Sequence, residues 1–259
     1  MSEAVPEAAG LREGRVSSPR PQVLATSGGL RQDDRRNWRP AALLDHALAL
    51  SGAVHPRLCL LMTATGDDPA LLARMYSAFD GRDDVAVSHL ALFPMPNVED
   101  IRAHILAQDV VWVAGGSVAN LLALWRLHGV DTAMREAWEA GVVLGGNSAG
   151  SLCWHVGGTT DSFGPDLRPV TDGLGFLPYA NGVHYDSEAQ RRPLIQRLVA
   201  DGTLPTAYCT DDGVGLHYVG TELLEAVSEI EGKGAYLVER APGDRAVETR
   251  IEARFLTEP

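Results

Sequence analysis

Cysteine is scarce in this 259-residue chain, and the three present, Cys59, Cys153 and Cys209, form no C-x-x-C pair and have no histidine at metal-ligand spacing. That argues against a disulfide framework and a structural zinc, and it leads to the expectation of a reduced, cytoplasmic setting. Long apolar runs are lacking too, none approaching the roughly 18 residues of a membrane-crossing helix. Positive charge is in short supply, with 22 Lys and Arg against 34 Asp and Glu, a formal net charge of −12 and arginines scattered along the chain. Binding to nucleic acid or to an anionic membrane is not expected of such a balance. Nor do residues 1–20 read as a signal peptide, because they hold Glu, Pro, Gly and Ser without an apolar core. They read as a flexible leader that buries almost nothing.

What remains is ordinary globular material, 45% hydrophobic and 22% charged, enough at this length for a sizeable core. Residues 21–259 show no internal repeat, low-complexity tract or linker, so one domain is expected. Apolar runs at 22–27, 57–63, 85–92, 109–114 and 142–144 read as strands, and helical periodicity appears at 41–50, 69–79, 97–107, 118–127 and 131–140. Strands apolar on both faces that alternate with helices imply an α/β fold, a doubly wound, mostly parallel sheet sandwiched by helices. Ligands of such sheets bind beyond the carboxyl ends of the strands, which puts the glycine-containing strand ends after Thr26, Val113 and Leu144 on one rim. Residues 31–36 read as a loop, 149–155 as a helix, 157–173 as an irregular surface loop and 181–185 as a strand end. A helix is expected over 188–200 and short strands over 207–210 and 214–219, with antiparallel strands at 225–230, 235–239 and 250–255 closing a sheet edge.

The stretch richest in chemistry is Val142-Val143-Leu144-Gly145-Gly146-Asn147-Ser148-Ala149-Gly150-Ser151-Leu152. An apolar run ends in glycines, a serine follows, and a further glycine opens a helix, which is the context of a nucleophile elbow. Gly146 and Gly150 let the flanking segments pass closely. The Ser148 hydroxyl then stands at a helix N-terminus, where backbone N–H groups meet a developing oxyanion. The competing reading is a strand–helix loop with Ser148 as its cap.

A serine hydroxyl needs a base, usually histidine. His155 lies two helical turns beyond Ser148, roughly 10 Å along an axis. His46 and His104 sit on early helices away from the rim, and His217 is deep in an apolar strand. His184 ends an apolar strand on the rim of the elbow and is the candidate base; the alternative is a polar strand-end residue making one hydrogen bond. A carboxylate should orient the imidazole, and Asp161, Asp166, Asp172, Asp211 and Asp212 all qualify by position. The Ala149 N–H is the natural first oxyanion donor, with Gly115 or Gly116 at the neighbouring strand end as the second.

Ala114-Gly115-Gly116-Ser117, then Gly146-Asn147-Ser148-Ala149-Gly150, then His184 resemble the peptidase E and cyanophycinase family of serine peptidases. The resemblance runs from about Val23 to Leu237 and takes in Thr63-Ala64-Thr65-Gly66-Asp67 and Asp211-Asp212-Gly213. It implies a flavodoxin-like fold related to class I glutamine amidotransferases, with residues 21–259 forming a single serine peptidase domain. It further implies Ser148 as nucleophile, His184 as general base, and Gly116 and Ala149 as oxyanion donors. Thr159-Thr160-Asp161 matches the family's acidic segment at a slightly shorter spacing, which makes Asp161 the expected acid. Ser117 stands where the family commonly has Asn, a departure that bears on how that loop is pinned.

The same resemblance implies hydrolysis of small Asp-containing peptides by an aspartyl dipeptidase-like exopeptidase through an acyl-enzyme. Arg191 and Arg192, placed like the family's basic residues, would hold the substrate carboxylate. No metal or organic cofactor is expected. The expected partner is a small peptide; a homodimer is compatible with the sequence, which leaves the oligomeric state open. Two rival readings are an α/β-hydrolase-type esterase on the same elbow, for which His217 would be the base, and an inactive binding protein of the same fold.

Overall fold

The computed structural model describes residues 20–257, so residues 1–19 of the expected leader lie outside the described residues. In chain order the first elements are β1 (Gln22–Thr26), β2 (Leu30–Gln32), β3 (Trp38–Pro40), α1 (Ala42–Leu50), β4 (Arg57–Leu61), α2 (Pro69–Ala78), β5 (Ala86–Leu90), α3 (Ile101–Leu106), β6 (Val110–Val113), α4 (Val118–His128), α5 (Val130–Glu139) and β7 (Val143–Asn147). After the elbow come α6 (Ala149–Leu152), β8 (His155–Thr160), β9 (Arg168–Val170), β10 (Leu177–Gly182), α7 (Arg191–Ala200), β11 (Ala207–Thr210), β12 (Val214–Val219), β13 (Glu222–Ser228), β14 (Gly234–Ala241) and β15 (Arg245–Phe255).

Local chemistry explains the boundaries. Asp68, Asp100 and Ser117 each accept a hydrogen bond from a backbone N–H three residues on and so start α2, α3 and α4. Gly129, with φ of 70°, ends α4 and opens α5 directly. The strands of the first half alternate between two cores. Leu58 and Leu60 of β4 pack with Leu43, Leu44 and Met75 from α1 and α2, while Cys59 and Leu61 pack with Ile105, Leu121, Trp125 and Met134 from α3, α4 and α5. This period-2 division is what sandwiches the sheet between helices. A third cluster packs α7 on Ala180, Ala207, Cys209 and Val238.

The main sheet has 13 strands in the order β5-β4-β6-β7-β1-β12-β13-β15-β14-β11-β10-β8-β9. Strands β5, β4, β6, β7 and β1 are all parallel, as are β11, β10 and β8. Antiparallel strands join the two groups, except that β13 and β15 pair in parallel. The expected α/β architecture is therefore present, but the C-terminal strands bridge the interior of the sheet instead of closing its edge. Among the described residues no helix is long and apolar enough to cross a membrane.

Other expectations give way to particular contacts. The helix expected over 149–155 stops at Leu152, and much of the irregular loop expected over 157–173 is strand, in β8 and β9. The Gly157-Gly158 pair is not a turn signal: a Cβ at Gly157 would lie 2.2 Å from Val170 O and one at Gly158 2.1 Å from Asn181 O. Glycine here permits close strand neighbours on both sides. Residues 31–36 connect the paired β2 and β3 and are not wholly a loop. The helix expected from residue 97 begins at Ile101, because Asn97 uses its side chain on Ala91 N–H and His89 O instead.

Candidate active site

The elbow begins where β6, β7 and β1 run side by side. Gly146 has φ of 154°, and a Cβ there would lie 2.4 Å from Val113 O; one at Gly150 would lie 2.1 Å from the same oxygen. Only glycine lets the strand and the short α6 pass Val113 this closely. Between them Ser148 is held at φ 55° and ψ −111°, a left-handed conformation that an L-residue adopts only under constraint. Part of the constraint is its N–H, which donates to Thr26 O at 3.0 Å, while Ser148 O accepts from Ser151 and Leu152.

The next residue of the chain after Thr26 holds the histidine. Ser27 Oγ accepts the His184 N–H at 3.1 Å and lies 2.6 Å from Thr210 Oγ1. Ser148 and His184 therefore hang from consecutive residues at the carboxyl end of β1. His184 shares the unusual backbone, with φ of 54°. Its Nδ1 is 2.5 Å from Asp212 Oδ1, with the two side chains 25% and 39% exposed. Asp212 is positioned in turn by its own N–H, which donates to Asp186 Oδ1 at 2.9 Å, and Asp186 is ion-paired with Lys233. Burial alone would raise the Asp186 carboxyl, but the bonds from Lys233 and the Asp212 N–H outweigh it and hold the pKa below the usual value.

The carboxylate at the His184 ring is thus Asp212, and Asp161, expected there, is elsewhere. Asp161 lines the pocket that contains Ser148, together with Gly116, Ala149, Thr160, Val183 and Arg191. It follows β8, and its neighbours fix it: Thr160 Oγ1 lies 2.7 Å from Ser162 Oγ, which accepts the Ala119 N–H at the start of α4. The reason for the difference is topological. β11 pairs with β10, so the strand end at Thr210 delivers Asp212 to the end of β10 that carries His184, whereas β8 lies on the other side of β10. Asp166 and Asp172 lie outside this lining, Asp172 being ion-paired with Arg126. Asp211 is buried with its Oδ2 near Gly234 N–H and Tyr236 OH, and burial raises its pKa.

Gly115 and Gly116 come close to Ser148. A Cβ on Gly115 would sit 3.1 Å from Ser148 Cβ, and Gly116 takes φ of 134° with Ala64 O beneath it. Ser117 pins this loop in two ways, its N–H donating to Ala64 O and its Oγ capping α4 at Asn120 N–H. Gly116 and Ala149 both line the pocket with Ser148.

The two arginines part company. Arg191, 2% exposed, also lines the pocket; its Nη1 donates to Thr159 O and Oγ1, and its Nη2 pairs with Glu188. Its Nε is buried without a hydrogen-bond partner. Arg192 points away, with its guanidinium 4.6 Å and 4.5 Å from the ring centroids of Tyr185 and Tyr236 and 3.7 Å from Glu248. His155 and His217 are both remote from this cluster and are pushed down to about 4, chiefly by burial. His155 Nδ1 donates to Ser151 O, and His217 bonds Gln22. The only trio of His, Cys, Asp or Glu ligand atoms that converges among the described residues is His46, His217 and Glu225, none of which lines the pocket.

Sequence reasoning left out the hydroxyl scaffold of Ser27 and Thr210 that holds His184. The signal available was the pair Thr26-Ser27 at a buried strand end, where a hydroxyl must find a partner.

A serine at positive φ on a strand–helix turn, beside glycine backbone and with an imidazole–carboxylate pair anchored on the adjacent residue of the β1 end, has the parts of a nucleophile-elbow site. Comparison with known proteins is concordant. The sequence pattern of peptidase family S51 matches residues 23–226. An uncharacterized peptidase, YgaJ, of Bacillus subtilis (strain 168) is 40% identical over 235 residues, which covers 91% of this chain and 99% of that protein. Two solved structures share the fold at 14% identity: a peptidase from an acI-B1 Actinobacterium, with a TM-score of 0.62 and 90% and 95% of the two chains covered, and a putative peptidase E protein from Listeria monocytogenes EGD-e, with a TM-score of 0.53 and 90% and 100% covered. The chain belongs to peptidase family S51 and is a hydrolase of the serine peptidase type.

Proposed function

We propose that the protein hydrolyses small peptides with an N-terminal aspartyl residue through an acyl-enzyme on Ser148. The observation that carries the reading is the hanging of Ser148 and His184 from Thr26 and Ser27, with Asp212 on the far nitrogen of the imidazole. In this scheme His184 Nε2 takes the Ser148 proton as Oγ attacks the scissile carbonyl, then gives it to the leaving amine. Asp212 keeps the other nitrogen, Nδ1, protonated and stabilises the imidazolium as it forms. The N–H groups of Gly116 and Ala149 receive the oxyanion, which requires no movement of charge within the protein at the moment of reaction. Water attacks the acyl-enzyme by the same route in reverse.

Substrate choice follows from the charges at the rim. Arg191 offers a buried guanidinium and Asp161 a carboxylate on one pocket lining, and Glu188 stands beside both. A carboxylate side chain together with a free α-ammonium matches that pair of opposite charges, as an N-terminal aspartate would supply. Because Glu188 already balances Arg191 and the chain is strongly acidic overall, recognition is local and not a matter of long-range steering. Arg192, stacked on two tyrosines, has no part in it.

The test is a dipeptide panel. Asp-X dipeptides are expected to be cleaved at least tenfold faster than Glu-X, Asn-X or N-acetyl-Asp-X, by kcat/KM. Equal cleavage of N-blocked and free peptides would remove the ammonium from the scheme, and equal cleavage of Asn-X would remove the carboxylate.

A further inference from the structure

A second cluster of chemistry is made of residues that take no part in the lining of the Ser148 pocket. His217 of β12 and Glu225 of β13 face each other across an antiparallel pair, in register. His46 of α1 packs on them, its ring edge-on to His217 with centroids 6.0 Å apart and an interplanar angle of 87°. One ligand atom from each of the three residues falls within 4.8 Å of the others. The His217 side chain is only 5% exposed, and its Nδ1 is 4.0 Å from Glu225 Oε1, beyond hydrogen-bond reach. His46 Nε2 and His217 Nδ1 are both buried and have no hydrogen-bond partner.

The neighbouring hydrogen bonds fix which way the lone pair of His217 points. Gln22 Nε2 donates to Leu50 O at 3.3 Å, and a carbonyl can only accept, so Gln22 must present Oε1 to His217. His217 Nε2, 3.0 Å away, then carries the proton, and Nδ1 is left with a bare lone pair directed toward His46 and Glu225. This is the relay that orients metal-ligating imidazoles, one ring nitrogen tied to an acceptor so that the other is free for the ion.

We propose that His46, His217 and Glu225 bind one divalent transition-metal ion of the zinc class, which clamps α1 onto β12 and β13. Two neutral imidazoles and one carboxylate suit zinc or its borderline neighbours, whereas calcium and magnesium require oxygen donors. Ligand bonds of about 2.0–2.2 Å draw the three side chains inward from their present spacing, and water completes the tetrahedron. Arg254 is the built-in competitor: its Nε and Nη2 each bond the Glu225 carboxylate at 2.8 Å, and its side chain is 53% exposed, so it can swing into solvent when the ion arrives. The role is structural, since the three ligands are separate from Ser148, His184 and Asp212.

The full-length chain, stripped with EDTA and dialysed, is titrated with ZnCl2 by calorimetry and with CoCl2 by visible absorption. The expected result is one zinc per chain with a Kd of about 10 μM or tighter, a tetrahedral cobalt spectrum, and a rise in Tm at saturating zinc. His46→Gln, at a half-buried helix position, is expected to weaken binding at least about tenfold. Arg254→Gln, at an exposed position, is expected to tighten it, an equal or weaker affinity counting against Glu225 as the third ligand. Absence of saturable binding below about 1 mM, or an affinity unchanged in His46→Gln, overturns the proposal. Binding that survives His46→Gln but is lost in His184→Gln would put the ion at the peptidase pocket and overturn it equally.

Discussion

Replacing Asp212 with asparagine should cost the enzyme far more than replacing Asp161, and the size of the gap can be worked from the site. The His184 Nδ1 to Asp212 Oδ1 contact is 2.5 Å, a short charge-assisted bond once the ring becomes imidazolium. A hydrogen bond to a charged group contributes about 1.5–3 kcal/mol, so its loss alone slows acylation about 10- to 150-fold. Asp212→Ala belongs near the lower end, because the pair is partly exposed and water can enter. Asp212→Asn goes further. Its amide N–H can donate to Nδ1, which leaves the proton on Nε2 and removes the base; in triads of this type that error costs about 10⁴ in kcat. Asp161→Asn leaves the imidazole untouched and should raise KM for Asp-X peptides with kcat held within about tenfold. The assay is steady-state kinetics on an Asp-X dipeptide, with the acylation burst from an activated ester as a second readout. An Asp212→Asn enzyme retaining a tenth of the wild-type kcat, with Asp161→Asn as impaired as expected for Asp212, would refute the reasoning.

Two further outcomes follow from backbone strain and from burial. Ser148 at φ 55° stores about 1–3 kcal/mol, less the roughly 0.5–1 kcal/mol that glycine forfeits in the unfolded chain; Ser148→Gly should therefore be about 1 kcal/mol more stable than Ser148→Ala by urea unfolding, and equal stability would deny the strain. His155 is fully buried and depressed from 6.5 to about 4, so the unfolded chain takes up its proton first as pH falls. That contribution to stability is fully present above about pH 6.5 and is lost as the pH drops to 4, about 3 kcal/mol in all; His155→Phe should flatten the unfolding free energy across that window, and an unchanged slope would contradict the assignment.

The parts of the site that are local in sequence could be read before the fold. The elbow declares itself because strand, turn and helix follow one another within a few residues and the glycines needed for close passage fall at fixed offsets from Ser148. Gly116 and Ala149 come with it, one from the neighbouring strand end and one from the next residue. The partner of His184 was legible only as a set of candidates. Asp212 reaches it through the pairing of β10 with β11, and Asp161 is kept from it by the placing of β8 on the other side of β10. Register across a sheet is a long-range property that no spacing along the chain encodes.

The second half of the sheet was harder to read for a similar reason. Gly157-Gly158 has the composition of a loop, yet it is strand because its neighbours' carbonyls occupy the space a side chain would need. Arg191 and Arg192 look equivalent in sequence; their different fates depend on Thr159 and Glu188 on one side and Tyr185 and Tyr236 on the other. His46, His217 and Glu225 lie far apart along the chain and meet only after α1 folds over β12 and β13.

The most direct measurement of the central claim is peptide mass spectrometry after treatment with a fluorophosphonate probe, run beside Asp-X hydrolysis in wild type and Ser148→Ala. The account predicts one phosphonyl adduct, on the peptide that contains Ser148, formed at the rate at which activity disappears, with no adduct and no hydrolysis in Ser148→Ala. Full hydrolysis in Ser148→Ala, or an adduct on another serine that tracks the loss of activity, would contradict it.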